Sequence, residues 1–343
     1  MSDKKVWRAI DVFSGCGGLS DGLKQAGFKI ESAVELDPLA ADTYASNHDG
    51  VRVVQKDVRR VTRTHLQPKN GEKIDLIAGC PPCQGFSRVR RRNRRNPARD
   101  DRNALIDEFE RLVSSLNPTA IFLENVPGIQ KYWRFKQFIA FLKRKHYEVT
   151  VEVLDLSLYG VPQTRKRVVV LAGKRFKIQL PKRAKFRATV RRAIGDLPCP
   201  KRSRKRLHRT TTKHADDVKI RIRSVPKNGG SRNSLPKKLI LACHRKCSGF
   251  RDVYGRMPLD KPGPTITGGC INASKGRFLH PKQDRVITLY EAALLQTFPR
   301  SYHFNEGRGR YGVAEMIGNA LPPEFARRVG VAILEALTAN DDD

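Results

Sequence analysis

Through the first 173 residues, short apolar runs alternate with amphipathic stretches, and most of the runs end on a glycine, an acid or a cysteine. Strand-like runs cover Trp7–Phe13, Phe28–Val34 (ending at Glu35), Val51–Val54 (ending near Asp57), Ile74–Ala78, Ala120–Leu123 (ending at Glu124), Glu148–Asp155 and Arg167–Ala172. Helical spacing covers Leu19–Ala26, a stretch after Pro38, Leu105–Leu116 and Tyr132–Lys145. Such alternation predicts a doubly wound α/β sheet, in which ligands bind at the carboxyl ends of the strands. The chemically suggestive residues fall at those ends. After Gly173 the periodicity fades into basic, Pro- and Gly-containing sequence. Helical spacing returns at Val313–Met316 and Glu324–Leu337. The expectation is one large domain from 1–173 and 312–343, with a smaller irregular domain over 174–311.

A hydrophobic share of 39% over 343 residues allows a sizeable core, and the formal charge is +33. The excess is concentrated: Lys174 to Arg223 holds 19 Lys and Arg against 3 acids. A cationic stretch of that density fits a polyanion, because each phosphate contact releases condensed counterions. Charge alone does not separate DNA from RNA. No run approaches the length of a membrane span. The first residues lack the apolar stretch of a secretory signal, so a cytoplasmic protein is expected. Seven scattered cysteines, an odd number, read as free thiols better than as a disulfide framework.

Four segments carry candidate chemistry. In Asp11-Val-Phe-Ser-Gly-Cys-Gly-Gly18, glycines after a strand let backbone approach a ligand closely. The spacing is neither the G-x-G-x-x-G of NAD enzymes nor a P-loop. Glu35 and Asp57, at the next two strand ends, could take ribose hydroxyls and an adenine amine. In Gly79-Cys-Pro-Pro-Cys-Gln-Gly-Phe-Ser87, the pair Cys80 and Cys83 reads as a redox pair, as half a zinc site with Cys243 and Cys247, as structural cysteine, or as a nucleophile on a stiff turn. Glu124-Asn-Val-Pro-Gly128 brings a carboxyl group to a strand end, where partial burial would suit it to acid chemistry. In Gly160-Val-Pro-Gln-Thr-Arg-Lys-Arg167, Arg165 and Arg167 lie two apart on one side of an extended segment, suited to a base oxygen or a phosphate.

In this order, the four segments resemble the cytosine-C5 DNA methyltransferase family. Arg285 to Pro299, with Glu291 and Gln296, and Gly318-Asn-Ala-Leu-Pro-Pro323 are similar to two further motifs, so the resemblance runs from Asp11 to Pro323. Leu36 stands where an aromatic residue is common, and Tyr290 where an arginine is common. The resemblance implies a Rossmann-like S-adenosyl-L-methionine domain (1–173 and 312–343) and a target-recognition domain (174–311). Of the latter, the basic stretch Phe176 to Cys247 would read sequence. It implies that Phe13, Ser14, Gly15, Gly17, Gly18, Leu19, Glu35, Leu36, Asp57, Val58, Pro81, Asn319 and Ala320 hold S-adenosyl-L-methionine, with no metal. Cys83, Glu124, Arg165 and Arg167 would be catalytic; Gln84, Ser87, Asn125 and Gln163 would touch DNA. Cys83 would add to C6 of an extruded cytosine, with Glu124 at N3 and with Arg165 and Arg167 at O2 and the backbone. The implied partners are double-stranded DNA and a cognate restriction endonuclease; the implied state is a nucleoid-associated monomer. The alternative of the same fold is a transfer-RNA methyltransferase. A DNA-binding regulator and a zinc-dependent binding module are alternatives of other classes.

Overall fold

The structure is a computed structural model that describes residues 5–68, 71–82, 104–245 and 252–341. The chain divides into two compact units. The first comprises Met1–Tyr159, Lys166–Arg183 and Leu321–Asp343; the second comprises Gly160–Arg165 and Ala184–Ala320. Relative to the boundaries read from sequence, the cuts fall near 184 and 321 instead of 174 and 312, and six residues around Gln163 join the second unit.

The first unit is built on a seven-stranded sheet of order β3-β2-β1-β4-β5-β7-β6. The strands are β1 (Arg8–Val12), β2 (Lys29–Glu35), β3 (Arg52–Gln55), β4 (Leu76–Gly79), β5 (Ala120–Asn125), β6 (Tyr147–Asp155) and β7 (Lys166–Lys174). The pairs among β1 to β5 are parallel, whereas β7 runs antiparallel to both β5 and β6. The strand order reverses at β1, with β2 on one side and β4 on the other. That is the switch point where α/β sheets bind ligands.

Helices of seven residues or more are numbered here: α1 (Gly18–Ala26), α2 (Pro38–Ala45), α3 (Leu105–Leu116), α4 (Trp133–Arg144), α5 (Asp216–Ser224), α6 (Leu289–Leu295), α7 (Gly309–Asn319) and α8 (Pro323–Ala339). Period-2 alternation sorts each strand between two faces. Ile10, Val12, Ile77, Ile121, Leu123, Val168 and Val170 share a core with Phe109 and Leu112 of α3 and Phe138 and Leu142 of α4. On β1 the intervening Ala9 and Asp11 face the other way. Against α1 lies α8, at a contact only glycine permits: a Cβ on Gly22 would stand 2.3 Å from the Pro323 carbonyl oxygen.

The second unit carries α5, α6 and α7 among short helical turns and irregular chain. Polar keystones hold it together. Arg256 is fully buried. Its guanidinium donates to the carbonyls of Ile222, Val225, His280 and Gln283 and to the Asp284 carboxylate. Arg285 forks onto Glu291, at 2.7 and 2.6 Å. Glu291 also accepts from the Thr288 amide and so closes a capping box at the start of α6.

Candidate active site

The glycine turn after β1 is made by backbone geometry. Phe13, Gly15 and Gly17 all have positive φ, at 64°, 54° and 96°. For Phe13 this is a costly conformation of the kind that clusters at ligand sites. The Ser14 amide donates to the Val34 carbonyl, tying the turn to β2. Glu35 then clamps the turn. Its Oε2 accepts from the Gly15 amide at 2.8 Å, and its Oε1 accepts from the amides of Leu36 and Asp37. A Cβ on Gly15 would meet nothing within 4 Å, so open space lies over the turn. Leu36 beside it is 63% exposed.

Cys16, Gly18 and Leu19 are buried. Burial pushes the Cys16 thiol up to about 12, so it is an inert packing group. Asp57 caps a short turn at Val58–Arg60 by accepting from the Arg59 amide, and it pairs with the Arg59 guanidinium. Val58 is buried beneath that turn. These groups together form a shelf of exposed apolar surface, carboxylates and amides at the carboxyl ends of β1, β2 and β3. A ligand with a ribose, an adenine and an amino-acid tail fits that donor set. Loss of the clamp should be felt at once: Glu35→Ala is expected to weaken S-adenosyl-L-methionine binding about tenfold or more, as read by calorimetry, since hydrogen bonds to a charged group contribute about 1.5–3 kcal/mol each.

One strand over, Glu124 is buried on β5 and pairs with the Nε of Arg167 on β7 at 2.6 Å. Asn125 is buried too; its Nδ2 donates to the Pro81 carbonyl at 3.0 Å and its Oδ1 accepts from the Val126 amide. Asn125 thus moors the proline turn to β5. Close by, burial and then the charges of Glu124 and Asp11 hold the Cys80 thiol well above the usual range. Cys80 is therefore held in the thiol form. Cys83, Gln84, Ser87 and the arginine-rich stretch 88–102 lie outside the described residues.

The second unit uses its share of the motif residues differently. Gln163 is fully buried: Nε2 donates to the Leu295 carbonyl and to Gln296 Oε1, and Oε1 accepts from the Ile266 amide. Both ends of its amide are thus bonded within the second unit. Both Nη atoms of Arg165 donate to backbone carbonyls, those of Ile266, Gly318 and Ala320. Arg165 braces the turn after α7, where Asn319 is exposed and Ala320 is buried. Asp11, which opens the glycine segment but has no role assigned from sequence, is fully buried; an acid between Ile10 and Val12 in an apolar run signals such a carboxyl group.

A family model described as C-5 cytosine-specific DNA methylase matches residues 7–335. The chain belongs to this family. It is 38% identical to the Type II methylase M.HgiDII of Herpetosiphon aurantiacus, over 96% of this chain and 95% of that one. It is 33% identical to the Type II methyltransferase M1.HphI of Haemophilus parahaemolyticus, over 96% and 87%. Among solved structures, a prophage-encoded protein of E. coli assigned as a DNA modification methyltransferase superposes with a TM-score of 0.76. Its identity is 27%, and the match covers 97% of this chain and 99% of that one. The methylase accordingly transfers a methyl group from S-adenosyl-L-methionine to C5 of cytosine in DNA. Among the described residues, no helix is long and apolar enough to cross a membrane.

Proposed function

We propose that the methylase modifies one cytosine in a specific double-stranded DNA sequence, with Cys83 as its covalent nucleophile. The observation that carries this reading is the buried Glu124–Arg167 pair, beside the moored Pro81 turn that leads two residues on to Cys83. A cytosine is a poor carbon nucleophile and is stacked inside the duplex, so it must be extruded and activated. The Cys83 thiolate forms a bond to C6, and the C5=C6 π pair shifts onto C5 and, by conjugation through C4, onto N3. Glu124 in its carboxylic-acid form donates its proton to N3, so that the shifted pair is held as an enamine whose nucleophilic carbon is C5. Arg167 holds Glu124 in place and offers its guanidinium to the base oxygen O2; Arg165 positions the 318–320 turn. S-adenosyl-L-methionine supplies the electrophilic methyl carbon. Loss of the C5 proton then restores the double bond and expels Cys83.

The turn at Phe13–Leu19, Glu35, Leu36, Asp57, Val58, Pro81, Asn319 and Ala320 would hold the cofactor. Gln84 and Ser87 would contact DNA from the stretch that follows the nucleophile. The first unit would carry chemistry, and the second, with 14 Lys and Arg between Ala184 and Arg223, would read sequence. Support for a restriction–modification role comes from relatives described as Type II methylases. The methylase would then act as a monomer at the nucleoid, alongside a cognate endonuclease. Tritium transfer from labelled cofactor should go to duplex DNA and not to transfer RNA. Bisulfite sequencing of a plasmid from expressing cells should show one methylated motif; label in transfer RNA alone would overturn the reading.

A further inference from the structure

Beneath the glycine turn lies a carboxyl group for which the reaction outlined above has no use. Asp11 is fully buried on the face of β1 opposite the α3–α4 core. Its Oδ2 accepts from Ser20 Oγ of α1 at 2.7 Å, and Ser20 Oγ in turn accepts from Tyr44 Oη of α2 at 2.7 Å. Among the described residues, its Oδ1 has no hydrogen-bond partner. Buried carboxylate oxygens without donors are rare and costly, and they mark places where a charge or ligand completes the site. Acidic groups crowd it: Glu35 from the end of β2 and the Cys80 thiol from the end of β4. Burial, above all, pushes the Asp11 carboxyl up to about 7, with the Ser20 hydroxyl opposing that rise and Glu35 adding to it.

We propose that Asp11 exchanges a proton for the positive charge of S-adenosyl-L-methionine, so that cofactor binding releases a proton from this residue to solvent. The proposal rests on the reading that the cofactor binds at this turn. In a low-dielectric site a nearby cation favours the ionised carboxyl group. The bound protein then has the lower Asp11 pKa, and binding is favoured by high pH. The sign follows from linkage: affinity rises with pH up to about 7 and levels off above it, because there Asp11 is already ionised. With a free value of about 7, Kd at pH 6 should be about tenfold weaker than at pH 8.

Calorimetry in two buffers of different ionisation enthalpy counts the protons released when S-adenosyl-L-methionine binds. At pH 7 the wild type should release about half a proton more than Asp11→Asn, which carries no titrating group there; subtraction removes the cofactor's own ammonium proton. Ser20→Ala keeps the carboxyl group but removes the donor that favours its charged form. Its Kd–pH profile should therefore move to higher pH and converge with that of wild type in alkaline buffer. If Asp11→Asn does not fold or bind, this profile decides. Equal proton release in wild type and Asp11→Asn, or a Kd that is flat from pH 6 to 8, would sink the proposal while leaving the cofactor site standing. Failure of the wild type to bind S-adenosyl-L-methionine would sink both.

Discussion

Cys83→Ala is expected to abolish methyl transfer, by at least roughly 10⁴-fold, or more than about 5 kcal/mol of transition-state stabilisation. Addition at C6 is what makes C5 nucleophilic, so no residual route of similar height remains once the thiolate is gone. Binding of the cognate duplex should survive, since phosphate and base contacts do not use the thiol. Cys80→Ala should keep most of the activity. Cys80 stands three residues earlier in the sequence, but burial and the neighbouring Glu124 and Asp11 charges keep it protonated. A single-turnover assay with tritiated cofactor separates the two variants. Comparable losses in both would mean that the turn as a whole, and not one thiol, had been disturbed.

Arg256→Ala should produce the largest loss of stability of any single change in the second unit, about 3–5 kcal/mol. The side chain is fully buried, and its removal strands the carbonyls of Ile222, Val225, His280 and Gln283, while the exposed Asp284 carboxylate keeps Lys227 as its partner. It joins the C-terminal end of α5 to the segment 280–284, so the damage crosses two parts of the chain far apart in sequence. Arg256→Lys keeps the charge but cannot fork to so many acceptors, and should recover only part of the loss. Denaturant titration followed by circular dichroism measures both. An Arg256→Ala protein within about 1 kcal/mol of wild type would show that the unit relaxes around the gap.

Much of the first unit was legible because buried strands announce themselves as short apolar runs closed by Gly, Glu or Asp. All seven were located to within a few residues. Their direction was not: nothing local in Lys166–Lys174 says that it runs antiparallel to its neighbours, because that is decided by pairing with Ala120–Asn125 and Tyr147–Asp155. The unit boundary shows the same limit. Residues Gly160–Arg165 join the second unit through non-local pairing, with the amide and hydroxyl of Thr164 both donating to the Gly263 carbonyl. At the site, the charged groups stood out, but the partners of the amides were not legible. Asn125 and Gln163 look like base-reading side chains in sequence, yet both are buried and bonded to backbone. Arg165 and Arg167 are two residues apart and chemically identical, but one braces carbonyls and the other pairs with Glu124. Identity and spacing show which groups are available; the partners that consume them come from distant segments.

Covalent trapping tests the nucleophile most directly. A cognate duplex with 5-fluorocytosine at the target position should capture the wild-type methylase in the presence of S-adenosyl-L-methionine. Fluorine at C5 cannot leave as a proton does, so the elimination that frees the thiol is blocked. The expected result is a complex that survives denaturation, with peptide mapping placing the modified base on Cys83. An adduct on Cys80, or turnover of the natural duplex with no adduct on the fluorinated one, would contradict the mechanism.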